Sequence, residues 1–484
     1  MKQTLSVILP ATALLAVGTV ASAQTQVQRF QRQLDQIQRE QRVQVNPEVP
    51  PGQRALVDYG GYVSFNFFAI DDTDQHTHIL RQYDLVAFGR LNIDNAHELF
   101  LRARTSYRDF NSGDDFDGDG DELISSLEQA YYRFDLARYL GAYKNKDIGR
   151  NNLVFQGGRQ FLYWGNGLVF ADRLDGGLVD LTLGDLTLEV VGGATPNDNV
   201  DFDSSRPEFD QDTQRNFYGG MLSYQLGRHR PYVYVLSQED KNEDEILVTS
   251  GVSTRFRYDS TYFGAGSTGS IGDRFLYGVE FAYETGEGLS NSIAATSPTD
   301  PTLLPQTEED ISAWAFDARL DYLFASPRRT RLSTELILSS GDEDRQHSTN
   351  TFGGNRPGTD DEGFNAWGLL NTGLAFAPSV SNLASFRVGA STFPFPDSST
   401  FRRFQVGTDL IFFAKFDEDA PIDEPTRAGS QWLGFEPDLY LNWQITSDVS
   451  LGVRYGVFFP GSAIADPGDD HPRHFFFTGV TFAF

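Results

Sequence analysis

From Tyr59 to the last residue, apolar and polar side chains alternate with a period of two, interrupted at short intervals by Gly, Asn, Asp, Ser and Pro. That period belongs to strands with one apolar face, and the interruptions mark turns. Residues 432–445 show it best. Leu433, Phe435, Pro437, Leu439, Leu441, Trp443 and Ile445 share one face, and Trp432, Gly434, Glu436, Asp438, Tyr440, Asn442 and Gln444 the other. A turn at Thr446-Ser447-Asp448 leads to a second strand with Val449, Leu451, Val453, Tyr455 and Val457 on its apolar side. The same reading predicts strands at 60–69, 79–94, 97–109, 127–136, 153–160, 177–183, 186–194, 215–226, 231–237 and 254–265. It continues with 274–285, 311–323, 330–339, 367–376, 383–392, 403–413, 432–444, 449–458 and 475–484. Single-chain bacterial barrels carry even strand numbers, so we expect about 18 strands, with one of these spans false or bent.

The two ends place those strands. At the C-terminus Thr478, Val480, Phe482 and Phe484 fall on one side and Gly479, Thr481 and Ala483 on the other. A last strand with one apolar face and a terminal aromatic resembles the signal read by the outer-membrane barrel assembly machinery. At the N-terminus Lys2 precedes a mostly apolar run from Leu5 to Val17, followed by Ala21-Ser22-Ala23. This reads as a secretory signal peptide over 1–23, cut before Gln24. Its apolar run is shorter than the roughly 20 residues a spanning helix needs. The pattern therefore predicts an all-β fold, a transmembrane antiparallel β-barrel over 53–484, in contact with outer-membrane lipid.

Residues 24–52 form a separate piece. Val27, Phe30, Leu34 and Ile37 recur at heptad-like spacing in a Gln/Arg-rich stretch that ends at Pro47, Pro50 and Pro51. We read it as a short helical periplasmic segment with a Pro-rich linker, either a lone amphipathic helix or a coiled coil able to form a homotrimer.

Composition sharpens the picture. The 484 residues include 46 Gly, 40 Phe and 20 Tyr but no Cys, which suits aromatic girdles and tight turns and leaves no disulfide or thiolate chemistry. Mean hydropathy is only −0.37, because alternation hides the apolar band. The net charge of −28 argues against nucleic acid as a partner. Acids cluster in Gly-, Asn-, Ser- and Pro-containing segments such as 114–122, 198–212, 239–245, 342–344 and 417–424, which read as solvated loops.

If the apolar parity faces lipid, the other parity faces the lumen. Outward Leu99, Leu101 and Tyr107 put Arg102, Arg104 and Arg108 inside. The same count places Arg133, Arg319, Arg331 and Arg454 in the lumen, with Asp135, Glu280, Glu284, Asp317, Asp321, Glu335, Asp409, Glu436 and Asp438. The wall carries both signs. Arginines in a pore attract and orient carboxylates, and they also neutralise acids on neighbouring strands.

Three groups of residues resemble the alginate export family of outer-membrane porins. The first is Gly158-Arg159-Gln160, then Trp164-Gly165-Asn166-Gly167 and Arg173-Leu174-Asp175-Gly176. The second is Ser339-Ser340-Gly341-Asp342 after Arg331-Leu332-Ser333. The third is Leu433-Gly434-Phe435-Glu436, followed by Tyr455-Gly456-Val457-Phe458-Phe459-Pro460-Gly461. Their order and spacing fit across about 55–484. The resemblance implies an 18-stranded barrel passing an anionic uronate polysaccharide through an arginine-lined constriction, with Arg159 and Arg173 as pore residues beside Arg102, Arg104 and Arg133. Two features depart from it. Arg159 shares the face of Phe155, so a bulge at Gly157-Gly158 is needed to turn it inward, and the lumen is mixed rather than basic.

Asp115, Asp117, Asp119 and Asp121, with Gly120, resemble the start of a calcium loop, in which Glu128 is twelfth when counted from Asp117. The register fits the turn glycine and the terminal glutamate only separately, so an acidic turn is the competing reading. No cofactor other than this calcium is indicated. Neither H-E-x-x-H nor G-x-S-x-G nor a P-loop occurs, so we expect no enzyme. The leading expectation is a passive channel for alginate-like polysaccharide or sugar acids. The alternatives are a general small-solute uptake porin and a plugged barrel with adhesive, cation-binding acidic loops.

Overall fold

The computed structural model describes Ile37 and residues 54–484 apart from 74–75, 113–121, 211, 243–245, 250–251, 296–300, 304, 346–348, 353 and 465–470. Eighteen antiparallel strands form one sheet, and β1 (Ala55–Asp71) pairs with β22 (Arg473–Ala483) to close it. Closure leaves no free edge, as strands in a hydrocarbon layer require. In chain order the sheet continues with β2 (Thr77–Ile93), β3 (His97–Phe110), β4 (Glu122–Asp135), β5 (Asn152–Tyr163) and β6 (Ala171–Leu183). Then come β7 (Leu186–Ala194), β8 (Arg215–Tyr224) and β9 (His229–Asp240). A small hairpin, β10 (Ile246–Thr249) and β11 (Val252–Arg255), precedes β12 (Tyr258–Ile271) and β13 (Phe275–Leu289). A second, β14 (Ile293–Ala295) and β15 (Pro301–Leu303), precedes β16 (Glu308–Leu323) and β17 (Arg331–Ser339). The last strands are β18 (Leu383–Thr392), β19 (Phe404–Lys415), β20 (Trp432–Gln444) and β21 (Val449–Pro460).

Alternation holds along most strands. Tyr59, Val63 and Phe65 of β1 and Val480 and Phe482 of β22 are exposed on the outside, while Ser64, Asn66 and Phe68 are buried inside. One rim has tight turns, such as 94–96, 184–185 and 272–274, and the other has long loops at 195–214, 340–382 and 416–431. Short turns mark the periplasmic rim of such barrels and long loops the outer one. Between β4 and β5 lies a helix, α1 (Leu136–Lys144), whose N-cap Asp135 accepts a hydrogen bond from the Arg138 amide at 3.0 Å. Asp135 is thus a cap rather than a lumen residue, because the strand ends there and the first helical amides need an acceptor.

Eighteen of the nineteen expected spans coincide with barrel strands. The exception is 367–376, which is irregular chain inside the barrel. Its Trp367, Leu374 and Phe376 are buried by inward strand residues, so its apolar character comes from filling the lumen. Two cores form this way at the long-loop end. In one, Trp164, Leu168, Phe170, Phe364 and Trp367 pack with Phe217, Leu236 and Tyr262. In the other, Phe376 stacks on Phe458 at 4.1 Å and meets Phe413 edge-on at 5.1 Å. Leu433, expected outside, joins this second core, because a bulge pairs Phe413 with Gly434 and Ala414 with Trp432 and turns Leu433 inward. Ile37 is helical and buried against Phe68, Ile70, Leu80 and Phe475 on the inner wall. The rest of the expected coiled-coil segment lies outside the described residues.

Candidate functional site

The lumen wall on β1–β4 carries a compact group of charges. Arg102 sits 2.6 Å from Glu128 and donates from Nη2 to the Tyr62 hydroxyl at 3.1 Å. Arg104 Nε donates to Asp84 Oδ1 at 3.2 Å, and its Nη1 lies 3.5 Å from Glu128. Asp84 is further held by Ser106 at 2.6 Å, Gln82 at 2.7 Å and Asn66 at 2.9 Å. Arg108 is 3.7 Å from Glu122 nearer the outer rim. Glu128 reaches this cluster through a bulge, since Arg102 pairs with Gln129 and Ala103 with Leu127. It is therefore an inward ion-pair partner and not a loop ligand. Asp115, Asp117, Asp119 and Asp121 lie outside the described residues, and the described ones hold no metal-ligating cluster.

Other inward arginines are distributed around the wall. Arg319 and Arg331 share Asp321, at 3.3 and 2.6 Å, and keep 43% and 36% of their side chains exposed. Arg454 is buried, donates to Asn442 at 2.8 Å and lies over Tyr440. It stiffens the wall rather than meeting the open lumen. Arg133 lies opposite Glu98 on β3. With Arg230 it is close enough to Asp180 to interact with that carboxylate. Arg90, Arg230 and Arg387 were not anticipated. Arg90 pairs with Asp58 at 2.9 Å, Arg387 with Glu335, and Arg230 with the Ser223 hydroxyl at 3.1 Å. Parity alone finds Arg90 and Arg387; Arg230 falls just outside the expected strand 231–237, because β9 begins two residues earlier, at His229.

Arg159 and Arg173 do not line the pore. No bulge occurs at Gly157-Gly158, and β4 and β5 keep register from Ala130↔Arg159 to Asp135↔Val154. Arg159 stays on the outward side of exposed Phe155. There it holds Asp175 at 2.6–2.7 Å, while Arg173 holds Asp198 at 2.7 Å. The Gly-rich motif between them has another role. Gly165 (φ +57°) and Gly167 (φ +84°) turn loop 164–170 into the lumen, and a Cβ on Gly165 would stand 2.4 Å from the Glu280 carboxylate. Asn166 then donates from its backbone to Glu280 and from its side chain to Asp317 at 2.8 Å.

Glu436 and Asp438, expected to line the pore, are buried. Glu436 accepts the amides of Leu374 at 2.5 Å, Ala375 at 2.8 Å and Phe376 at 2.8 Å. Glu284 likewise accepts the Asn365 amide at 3.0 Å, and Gln238 accepts Trp367 Nε1 at 3.1 Å. Chain folded into a lumen loses water as a hydrogen-bond partner, and inward carboxylates replace it. Loop 340–382 is thus latched across the outer half of the barrel.

Asp342 and Arg345, at the root of that loop, report on docking. Arg345 donates to Asp361 through Nε at 3.1 Å and lies 3.8 Å from Asp342. Burial pushes the Asp342 carboxyl up to about 7 against the pull of Arg345, with Asp361 adding to the rise. A carboxyl raised by docking favours the docked loop below the ordinary carboxylate range, and that contribution is lost as pH rises through about 7. Open-channel current is expected to increase from the ordinary carboxylate range up to about pH 7 as the loop loosens, and to level off above it. Asp342→Asn should flatten that rise in a conductance–pH series.

The alginate export family model matches residues 64–477. Among solved structures, OccK9 (OpdG) of Pseudomonas aeruginosa superposes with a TM-score of 0.51 at 9% identity, covering 88% of this chain and 98% of that one. OccAB1 of Acinetobacter baumannii gives 0.50 at 8%, covering 88% and 96%. At such identities the likeness is one of fold. Comparison with curated proteins finds no match.

Proposed function

Given that this outer-membrane barrel belongs to the alginate export family, we propose that it is a channel for anionic, uronate-type oligo- and polysaccharides. The observation that carries this reading is the Arg102–Arg104 pair. Both guanidiniums sit on the inward face, oriented by Tyr62, Asp84 and Glu128, below the latched loop. Fixed guanidiniums offer forked donors to a passing carboxylate, while the acids beside them keep any one contact weak enough to release. The wall as a whole is a ladder of paired charges in which a uronate chain exchanges one carboxylate for the next. The outward Val480 and Phe482 at the closing strand fit recognition by the assembly machinery.

The loops filling the outer half favour a second reading, a small sugar-acid uptake channel. Planar bilayer recordings separate the two. Uronate oligomers should block the channel protein purified from outer membranes, with dwell times that lengthen with chain length and fall about tenfold or more in Arg102→Ala/Arg104→Ala. Block that is independent of length favours small solutes, and no uronate block at all overturns the main reading.

A further inference from the structure

Three aromatic rings lie on the inward face near the short-turn rim, below the loop-packed cores. Phe88 and Phe100 stack with centroids 6.3 Å apart and planes 19° apart, and Phe100 and Tyr131 with 5.4 Å and 26°. Their parity is fixed by neighbours: Arg90 and Arg102 flank them inside, whereas Leu99 and Leu101 are exposed outside. All three rings are half-buried. That sets them apart from the inward Phe413 and Phe458, which loop 340–382 covers. Gly60 lies opposite Phe88, and a Cβ there would be 3.2 Å from the ring, so the glycine leaves space for Phe88 to lie across β1. Tyr131 donates its hydroxyl to Glu98 at 3.1 Å, which fixes the third ring.

Apolar rings facing an aqueous lumen cost solvation unless something covers them. Pyranose rings present a C–H face that packs flat on an aromatic face, while their hydroxyls and carboxylates reach sideways to polar groups. Arg102, one step along β3 from Phe100, and Arg133, beside Tyr131 on β4, stand where such groups would point. We propose that Phe88, Phe100 and Tyr131 form a stacking platform for successive sugar rings at the periplasmic entrance. It delivers a saccharide chain to Arg102 and Arg104 above. The proposal deepens the channel reading and rests on it for the anionic character of the saccharide.

Three probes of equal length separate rings from charge in planar bilayers: a uronate hexamer, maltohexaose and hexaglutamate. Phe88→Leu/Phe100→Leu keeps apolar volume and removes two ring faces, and Phe100→Leu alone serves as the milder variant. Unchanged open-channel conductance shows that the barrel has assembled. The expected result is a residence time for the uronate hexamer shortened about tenfold, loss of maltohexaose block, and unaltered block by hexaglutamate. Uronate and maltohexaose residence times that match wild type in both variants would overturn the platform and leave the channel reading standing. Wild-type block by maltohexaose without block by uronate would keep the platform and remove the anionic substrate. Absence of block by either saccharide would overturn both.

Discussion

Glu436→Ala should raise single-channel conductance several-fold and add slow fluctuations between levels. Its carboxylate takes three consecutive amides, those of Leu374, Ala375 and Phe376, inside the barrel. Each amide left without an acceptor in that setting costs about 1–3 kcal/mol, so losing the latch penalises the docked segment by several kcal/mol. Gly373, at φ +111° and within 3.0 Å of Glu436 when given a Cβ, shows how closely the chain is drawn to the carboxylate. The Phe376 stack on Phe458 remains, so the segment should visit docked and released states rather than leave permanently. Glu436→Gln keeps one acceptor oxygen and should fall between the two. Conductance identical to wild type in Glu436→Ala would mean that residues 371–376 do not limit the path.

The second large effect is expected from Asp201→Ala in loop 195–214. Asp201 accepts from Arg206 Nη1 at 2.8 Å and from Arg215 at 2.9 and 3.0 Å, with all three side chains almost wholly inaccessible. Burial would raise its carboxyl, but Arg215 and Arg206 outweigh burial and hold it below the ordinary value. Removing one partner of a buried ion pair costs about 3–5 kcal/mol, because the charge left behind is uncompensated. Asp240, 3.1 Å from Arg215, offsets part of the charge left behind. Loop 195–214 also braces loop 340–382 through Ser204–Asn350 at 2.9 Å and Asp203–Thr351 at 3.2 Å, so both should loosen. On intact cells the variant should be cut by added protease within 195–214 while the barrel stays whole. The depressed carboxyl gives the same loop an acid limit: its contribution holds above the ordinary carboxylate range and is lost as pH falls through the lowered value. Protease resistance equal to wild type would contradict this account.

Strands were the legible part of the fold, because lipid on one side and a polar lumen on the other impose period-two alternation. Expected spans 186–194, 383–392 and 432–444 agree with β7, β18 and β20 to the residue. The false strand at 367–376 and the inverted Leu433 share one cause. Alternation reports burial of an apolar face but cannot distinguish lipid from a lumen filled by loops. The arginines of β3 are legible because that strand keeps its parity through Arg108, the bulge at Glu128 lying on β4. Arg159 follows its parity with Phe155 and lies outward, against the pore position that the family resemblance implies. Glu280, Glu284 and Glu436 were read correctly as inward, yet their work is to hold loops. That role depends on which backbone amides arrive from more than 60 residues away in sequence, as with Leu374 and Glu436, a separation no local pattern records.

As proposed, the barrel conducts uronate chains along its arginine wall. Proteoliposomes containing the purified channel and co-loaded with a uronate trisaccharide and maltotriose test it most directly, by the relative rates at which the two escape. Faster uronate efflux is expected in the wild-type protein, with that preference lost in Arg102→Ala/Arg104→Ala. Uronate retained while maltotriose escapes would contradict it.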